Sequence, residues 1–153
     1  MKHHHKIIKY QTKKFMEFID ITDEVVNFTK GSNIKNGYVT IFSKHTTAAI
    51  KINEKEKGIT KDFELFAQKL LPAKDYYHHN DLTIRTENLV CEPGVETDCL
   101  NGHSHCLHLL MGGTSEHIPL IDGQLVLGTF QRIFLIELDT ARPRKVVFQI
   151  VGE

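Results

Sequence analysis

Apolar positions change their period several times along the chain, and each change marks an element. Residues 5–20 carry short alternating stretches, with Phe15, Phe18 and Ile19 among polar neighbours, which predicts one or two strands. Thr22 then reads as a helix N-cap, with Asp23 and Glu24 in a first turn where the helix dipole favours acids. Val25, Val26 and Phe28 face a core, and Gly31 ends that helix. GYVTIFS, residues 37–43, is β-branched and aromatic and predicts a strand; Thr47 to Asn53 predicts the next, with His45 and Thr46 in the connection. Ile59, Phe63, Phe66 and Leu70 recur at spacings of four, three and four, a helical period over 59–71 that Pro72 stops.

Residues 72–104 have no clear period, and an irregular stretch of that length inside one domain is usually functional or mobile. Leu107 to Met111 reads as a short apolar helix closed by Gly112-Gly113. The remainder is β-rich. Apolar runs flank Asp122-Gly123, a hairpin signal, and Ile133 to Leu138 and Lys145 to Val151 predict two more strands. These elements predict an α+β fold: a single compact domain over 1–153, with mainly antiparallel β-sheets packed by two or three helices and a flexible start at 1–6.

Composition narrows the function classes. A length of 153 residues suits one domain with a real core. A net charge of +0 leaves no electrostatic footprint for nucleic acid or an anionic membrane. No apolar run approaches the ~18 residues of a membrane span, and the polar start lacks a signal core, so the expectation is a cytoplasmic protein. Cys91, Cys99 and Cys106 are odd in number and lack CxxC spacing, so they read as small buried hydrophobes in place of a disulfide framework.

The candidate chemistry lies in histidines. Setting aside His3, His4 and His5, three stand in separate contexts: His45 in KHTTAAIKINE, His79 in YYHHND and His105 in NGHSHCLH. Neutral imidazole is a common zinc ligand, and a catalytic site takes three protein ligands and leaves a position open for water or substrate. Any one of these histidines, taken alone, reads more readily as a surface or satisfied core residue. No linear zinc-finger spacing is present, so only the fold can assemble such a site. The partner of His105 depends on secondary structure: a strand puts His103 beside it, a helix puts His108 there. The small residues after His45 leave room for a ligand.

Other residues read both ways. Glu54 suits a general base beside a metal, or a surface acid in a lysine-rich turn. Asp62 reads as a surface acid near a helix start. Glu137 and Asp139 share a strand face and invite salt bridges to Arg142 and Arg144, although the arginines also match phosphate geometry. No P-loop, nucleophile elbow or dinucleotide fingerprint occurs.

HTTAAIKINE (45–54), YYHHND (76–81), NGHSH (101–105), IPLIDGQLVLGTFQRIFLIELD (118–139) and RKVVFQIVGE (144–153) together resemble, in order, the YjbQ-like family, whose members carry the label secondary thiamine-phosphate synthase. The resemblance covers about residues 8–153, with Phe130 standing where the family shows Trp. It implies a homotrimer with a pocket near the subunit boundary. It also implies a divalent metal, zinc by the chemistry of the ligands, on His45, His79 and His105. Glu54 and Asp62 become catalytic companions, and Ser115, Gln131 and Arg144 contact substrate. Weak thiamine-phosphate synthase activity is implied too, but that reaction normally uses magnesium, which prefers oxygen ligands to histidine. The resulting expectation is a metal-dependent enzyme acting on a small, phosphorylated metabolite. The alternative is a non-catalytic trimeric binding protein for a small anionic metabolite or cofactor.

Overall fold

The computed structural model describes residues 1–89 and 100–153. The elements run β1 (Lys2–Gln11), β2 (Phe18–Asp20), α1 (Thr22–Gly31), β3 (Gly37–Ser43), β4 (Ala48–Glu54) and α2 (Lys57–Leu70). A 3-10 turn (His78–Asn80) follows, then α3 (Gly102–Met111), β5 (Ser115–Ile121), β6 (Gln124–Leu125), β7 (Gln131–Glu137) and β8 (Pro143–Gly152). Strand order is β1-β8-β3-β5-β6 in one sheet and β2-β7-β4 in the other, with antiparallel pairing throughout. The fold is α+β, as the periodicity predicts.

Alternation along the strands explains how the layers stack. In β3, Val39 and Ile41 point inward while Tyr38 and Phe42 stay exposed; in β8, Val146, Phe148 and Ile150 point inward. They meet Ile50, Ile133 and Leu135 of the smaller sheet, and α1 adds Val25 and Phe28 to that core. β7 does not alternate between apolar and polar. Its other face, Phe134 and Ile136, packs with Ala67 of α2 and Leu107 of α3 in a second core. The three-stranded sheet is therefore a middle layer buried on both faces, which is why IFLI reads as a continuous apolar run.

Two local expectations change. Residues 1–6 are not a loose start: Lys2 to Lys6 pair one for one with Gly152 to Phe148. Thr22 does not cap α1; its hydroxyl donates to Asp20 and accepts from the Ile133 N–H at 2.8 Å, tying the helix to β7. The stripe on α2 is only partly buried. Ala67 is enclosed and Phe63 meets Phe18 edge-on, but Ile59, Phe66 and Leu70 remain exposed. Glu56 caps that helix by accepting from the N–H groups of Gly58 and Ile59. At the hairpin, Asp122 and Gly123 both take positive φ, 51° and 77°, as a two-residue turn of the predicted type requires. Among the described residues no helix is long and apolar enough to cross a membrane.

Candidate functional site

The NGHSH motif lies on α3, which settles which neighbours its histidines meet. Positions two apart on a helix diverge by about 200°. His103 accordingly turns to Phe15 and Tyr77, while His105 faces the 3-10 turn. Gly102 makes this approach possible. A Cβ there would stand 2.7 Å from Tyr77 Cβ, and its N–H donates to Asn80 Oδ1 at 2.9 Å. With the turn pressed against the helix start, the His79 and His105 rings lie 4.5 Å apart between centroids, tilted by 52°.

Both rings line an open pocket of about 800 Å³, together with Thr46, Arg85, Glu87 and Asn101. Asn101 Oδ1 lies 3.1 Å from His79 Nε2, and its Nδ2 donates to Asp139 Oδ2 at 2.6 Å. Arg85 gathers the following loop by donating to the carbonyls of His79, Glu87 and Asn88. Burial lowers the basicity of His79, and the Arg85 charge lowers it further. Burial also lowers that of His105, with His79 adding to the effect. Two neutral imidazoles on the wall of a polar pocket can ligate a soft divalent ion or exchange protons with a bound molecule.

The other predicted residues are distributed differently. His45 is half-buried between β3 and β4, and its Nε2 accepts the Lys145 backbone N–H at 2.8 Å. That bond takes one lone pair, and in the neutral ring the hydrogen then resides on Nδ1. Burial and the nearby Arg144 charge keep it neutral. As placed, His45 offers no lone pair to a metal. Among the described residues, no three His, Cys, Asp or Glu side chains gather at metal-ligand spacing. His79 and His105 therefore stand as a pair of imidazoles, and this conformation places no third ligand-type side chain beside them among the described residues.

Arg144 is buried, with Nε donating to Glu137 Oε2 at 2.7 Å and Nη2 to Glu137 Oε1 and to Thr47 Oγ1 at 3.0 Å. Arg142 pairs with Asp139 at 2.9 Å. The salt-bridge reading of IFLIELD therefore describes the structure, and neither arginine lines the histidine pocket. Glu54 is exposed at the end of β4, on a separate cavity of about 210 Å³ with Phe18, Phe63 and Met111. Asp62 is exposed on α2, Ser115 opens β5, and Gln131 Oε1 accepts from the Gly128 N–H to close a turn. Ala48 and Ala49 are fully buried, and Ala49 leaves its space to Gly113, where a Cβ would come within 2.4 Å. The small residues after His45 thus make room for backbone. Cys106 is half-buried on α3; Cys91 and Cys99 lie outside the described residues.

Sequence reasoning passed over Asn101, Arg85 and Thr46. Asn101-Gly102 carried only a turn signal, and nothing local marked Arg85.

Comparisons with known proteins agree with this architecture. A family model described as UPF0047 protein YjbQ-like matches residues 6–153. A UPF0047 protein of Methanothermobacter thermautotrophicus is 35% identical, over 94% of this chain and 88% of its own. YugU of Bacillus subtilis, also a UPF0047 protein, is 30% identical over 96% of this chain and 98% of its own. Among solved structures, a YbjQ-like protein of unknown function from Sulfolobus solfataricus superposes with a TM-score of 0.82 at 34% identity, covering 99% of each chain.

Proposed function

We propose a function for this chain, which belongs to the YjbQ-like UPF0047 family: it is a metal-dependent enzyme that takes a small, phosphorylated metabolite into the pocket beside His79 and His105. The observation that carries the reading is the pairing of those two rings, 4.5 Å apart, on the wall of an open polar pocket. Two neutral imidazoles suit zinc or a related divalent ion better than magnesium, so magnesium-dependent thiamine-phosphate synthesis is a poor match for this donor set. His79 and His105 would hold the ion, joined by His45 once its ring turns from Lys145. The ion would polarise a substrate oxygen. Arg85 brings positive charge and Thr46 a hydroxyl to the same wall, which favours an anionic group.

Glu54, Asp62, Ser115 and Gln131 do not line this pocket within one protomer. The reading therefore includes a homotrimer, in the cytoplasm, that brings neighbouring subunits to the site. The exposed sheet row Ile7, Phe42 and Tyr38 supports burial against another copy.

A second reading, a non-catalytic binding protein for a small anionic metabolite, draws support from one observation. Glu87 is the single carboxylate among the described lining residues, so a proton-moving acid is scarce there.

Elemental analysis of protein with His3, His4 and His5 replaced by Ser tests the reading. About one zinc per chain is expected, removable by a chelator and absent from a folded His105→Ala variant. No metal after incubation with zinc overturns the enzyme reading. Metal-independent affinity for phosphorylated compounds would then support the binding protein.

A further inference from the structure

We infer that Asp139 and Asn101 are positioning residues that lock His79 into one tautomer, with hydrogen on Nε2 and the lone pair on Nδ1. The purpose of this relay rests on the metal-site reading above; its geometry does not. The argument starts from Asp139, which is 3% exposed at the end of β7. Its Oδ2 accepts from Arg142 Nε at 2.9 Å and its Oδ1 from the Thr140 N–H at 2.8 Å, so the carboxylate cannot turn. A carboxylate in that ion pair only accepts hydrogen bonds. The Asn101 group facing it at 2.6 Å must therefore be the amide nitrogen.

That assignment leaves Asn101 Oδ1 toward His79, 3.1 Å from Nε2. An amide oxygen is an acceptor, so Nε2 carries the hydrogen and the lone pair stays on Nδ1. Arg85 Nη1 also comes within 3.1 Å of Nε2, and its second hydrogen could bond there only in the opposite tautomer. But Arg85 is half-exposed and already donates to the His79 carbonyl at 2.9 Å, whereas Asn101 is held from behind by Asp139, so the fixed amide sets the ring. Asn101 is itself buried, 7% exposed, so water does not compete for the amide. The charge of Asp139 is thereby read out at His79 through one rigid side chain. Partners of this kind, one shell behind a metal-binding imidazole, orient the ring and raise its ligand strength. A carboxylate 38 residues from Asn101 in sequence becomes part of the site.

Nitrogen-15 NMR of metal-free wild-type protein tests the relay without any variant. A single His79 tautomer with an Nε2-bound hydrogen is expected, and an Nδ1-bound hydrogen overturns the inference. Asn101→Ala should let that ring average between tautomers and weaken zinc binding about 10- to 100-fold. An unchanged ring signal with unchanged zinc affinity also overturns it. If wild-type protein binds no zinc, the metal reading fails separately, while the tautomer measurement still decides the relay.

Discussion

Glu137 and Asp139 stand two residues apart on one strand end, yet the polar clusters around them are built differently. Around Glu137 every oxygen is engaged: Thr12 Oγ1 and Arg144 Nε meet one, while the Asp139 N–H and Arg144 Nη2 meet the other. The cluster is buried, and neither Glu137 nor Arg144 lines the histidine pocket. Around Asp139 the bonds lead outward through Asn101 to His79, and the chain of contacts ends at a pocket wall. Neither nitrogen of His105 has a hydrogen-bond partner among the described residues. A saturated cluster holds elements together; one that leads to an imidazole on a pocket wall can act on a ligand. This contrast is why Arg144 is assigned here to the framework.

The comparison breaks most visibly at Glu137. Glu137→Ala leaves Arg144 buried without its partner, and stability should fall by about 3–5 kcal/mol in urea denaturation. A loss below about 1 kcal/mol would mean that the cluster is dispensable. The open cluster should respond less in stability and more in binding. Gly102→Ala forces Tyr77 and the 3-10 turn away from α3, at a cost of about 1–3 kcal/mol. The same change should separate His79 from His105 and reduce zinc uptake; full zinc binding in that variant would show that close approach is not what pairs the rings.

The smallest expected effect is a pH dependence shared by both clusters. His45, His79 and His105 all have basicity lowered in the folded protein from an ordinary value of 6.5. The unfolded chain therefore binds protons more readily, and stability rises with pH in this range. The contribution is present above 6.5 and is lost as pH falls through the folded values. Metal-free protein should lose stability as pH falls below the ordinary histidine value of 6.5. A flat profile, or one that rises toward acid, would contradict neutral histidines in the fold.

Much of the fold was legible because burial imposes a period. Strands at the sheet surface alternate, and 37–43 could be read as a strand with its inward face. β7 is buried on both sides, and its continuous apolar run is the local mark of that. The first six residues misled because edge pairing needs backbone groups only, and a run of Lys and His carries no apolar signal. The α2 stripe marked its helix by period, but whether a neighbour covers each apolar position depends on the packing around it.

The candidate site was legible as residue types and only partly as an arrangement. His45, His79 and His105 stood out together because small and polar neighbours set them apart, and the structure brings two of them, His79 and His105, side by side. His45 belongs to the same set by resemblance, but its nitrogen is held by the Lys145 backbone, a contact 100 residues away in sequence. Sequence alone determined the element types, the antiparallel α+β architecture and the histidines worth testing, since period and side-chain chemistry are local properties. Only the tertiary structure decided that NGHSH is helical, that Arg144 serves Glu137, and that Asp139 reaches His79 through Asn101. Hydrogen-bond direction and ring orientation depend on which distant atoms the fold brings within about 3 Å, and no local pattern encodes that distance.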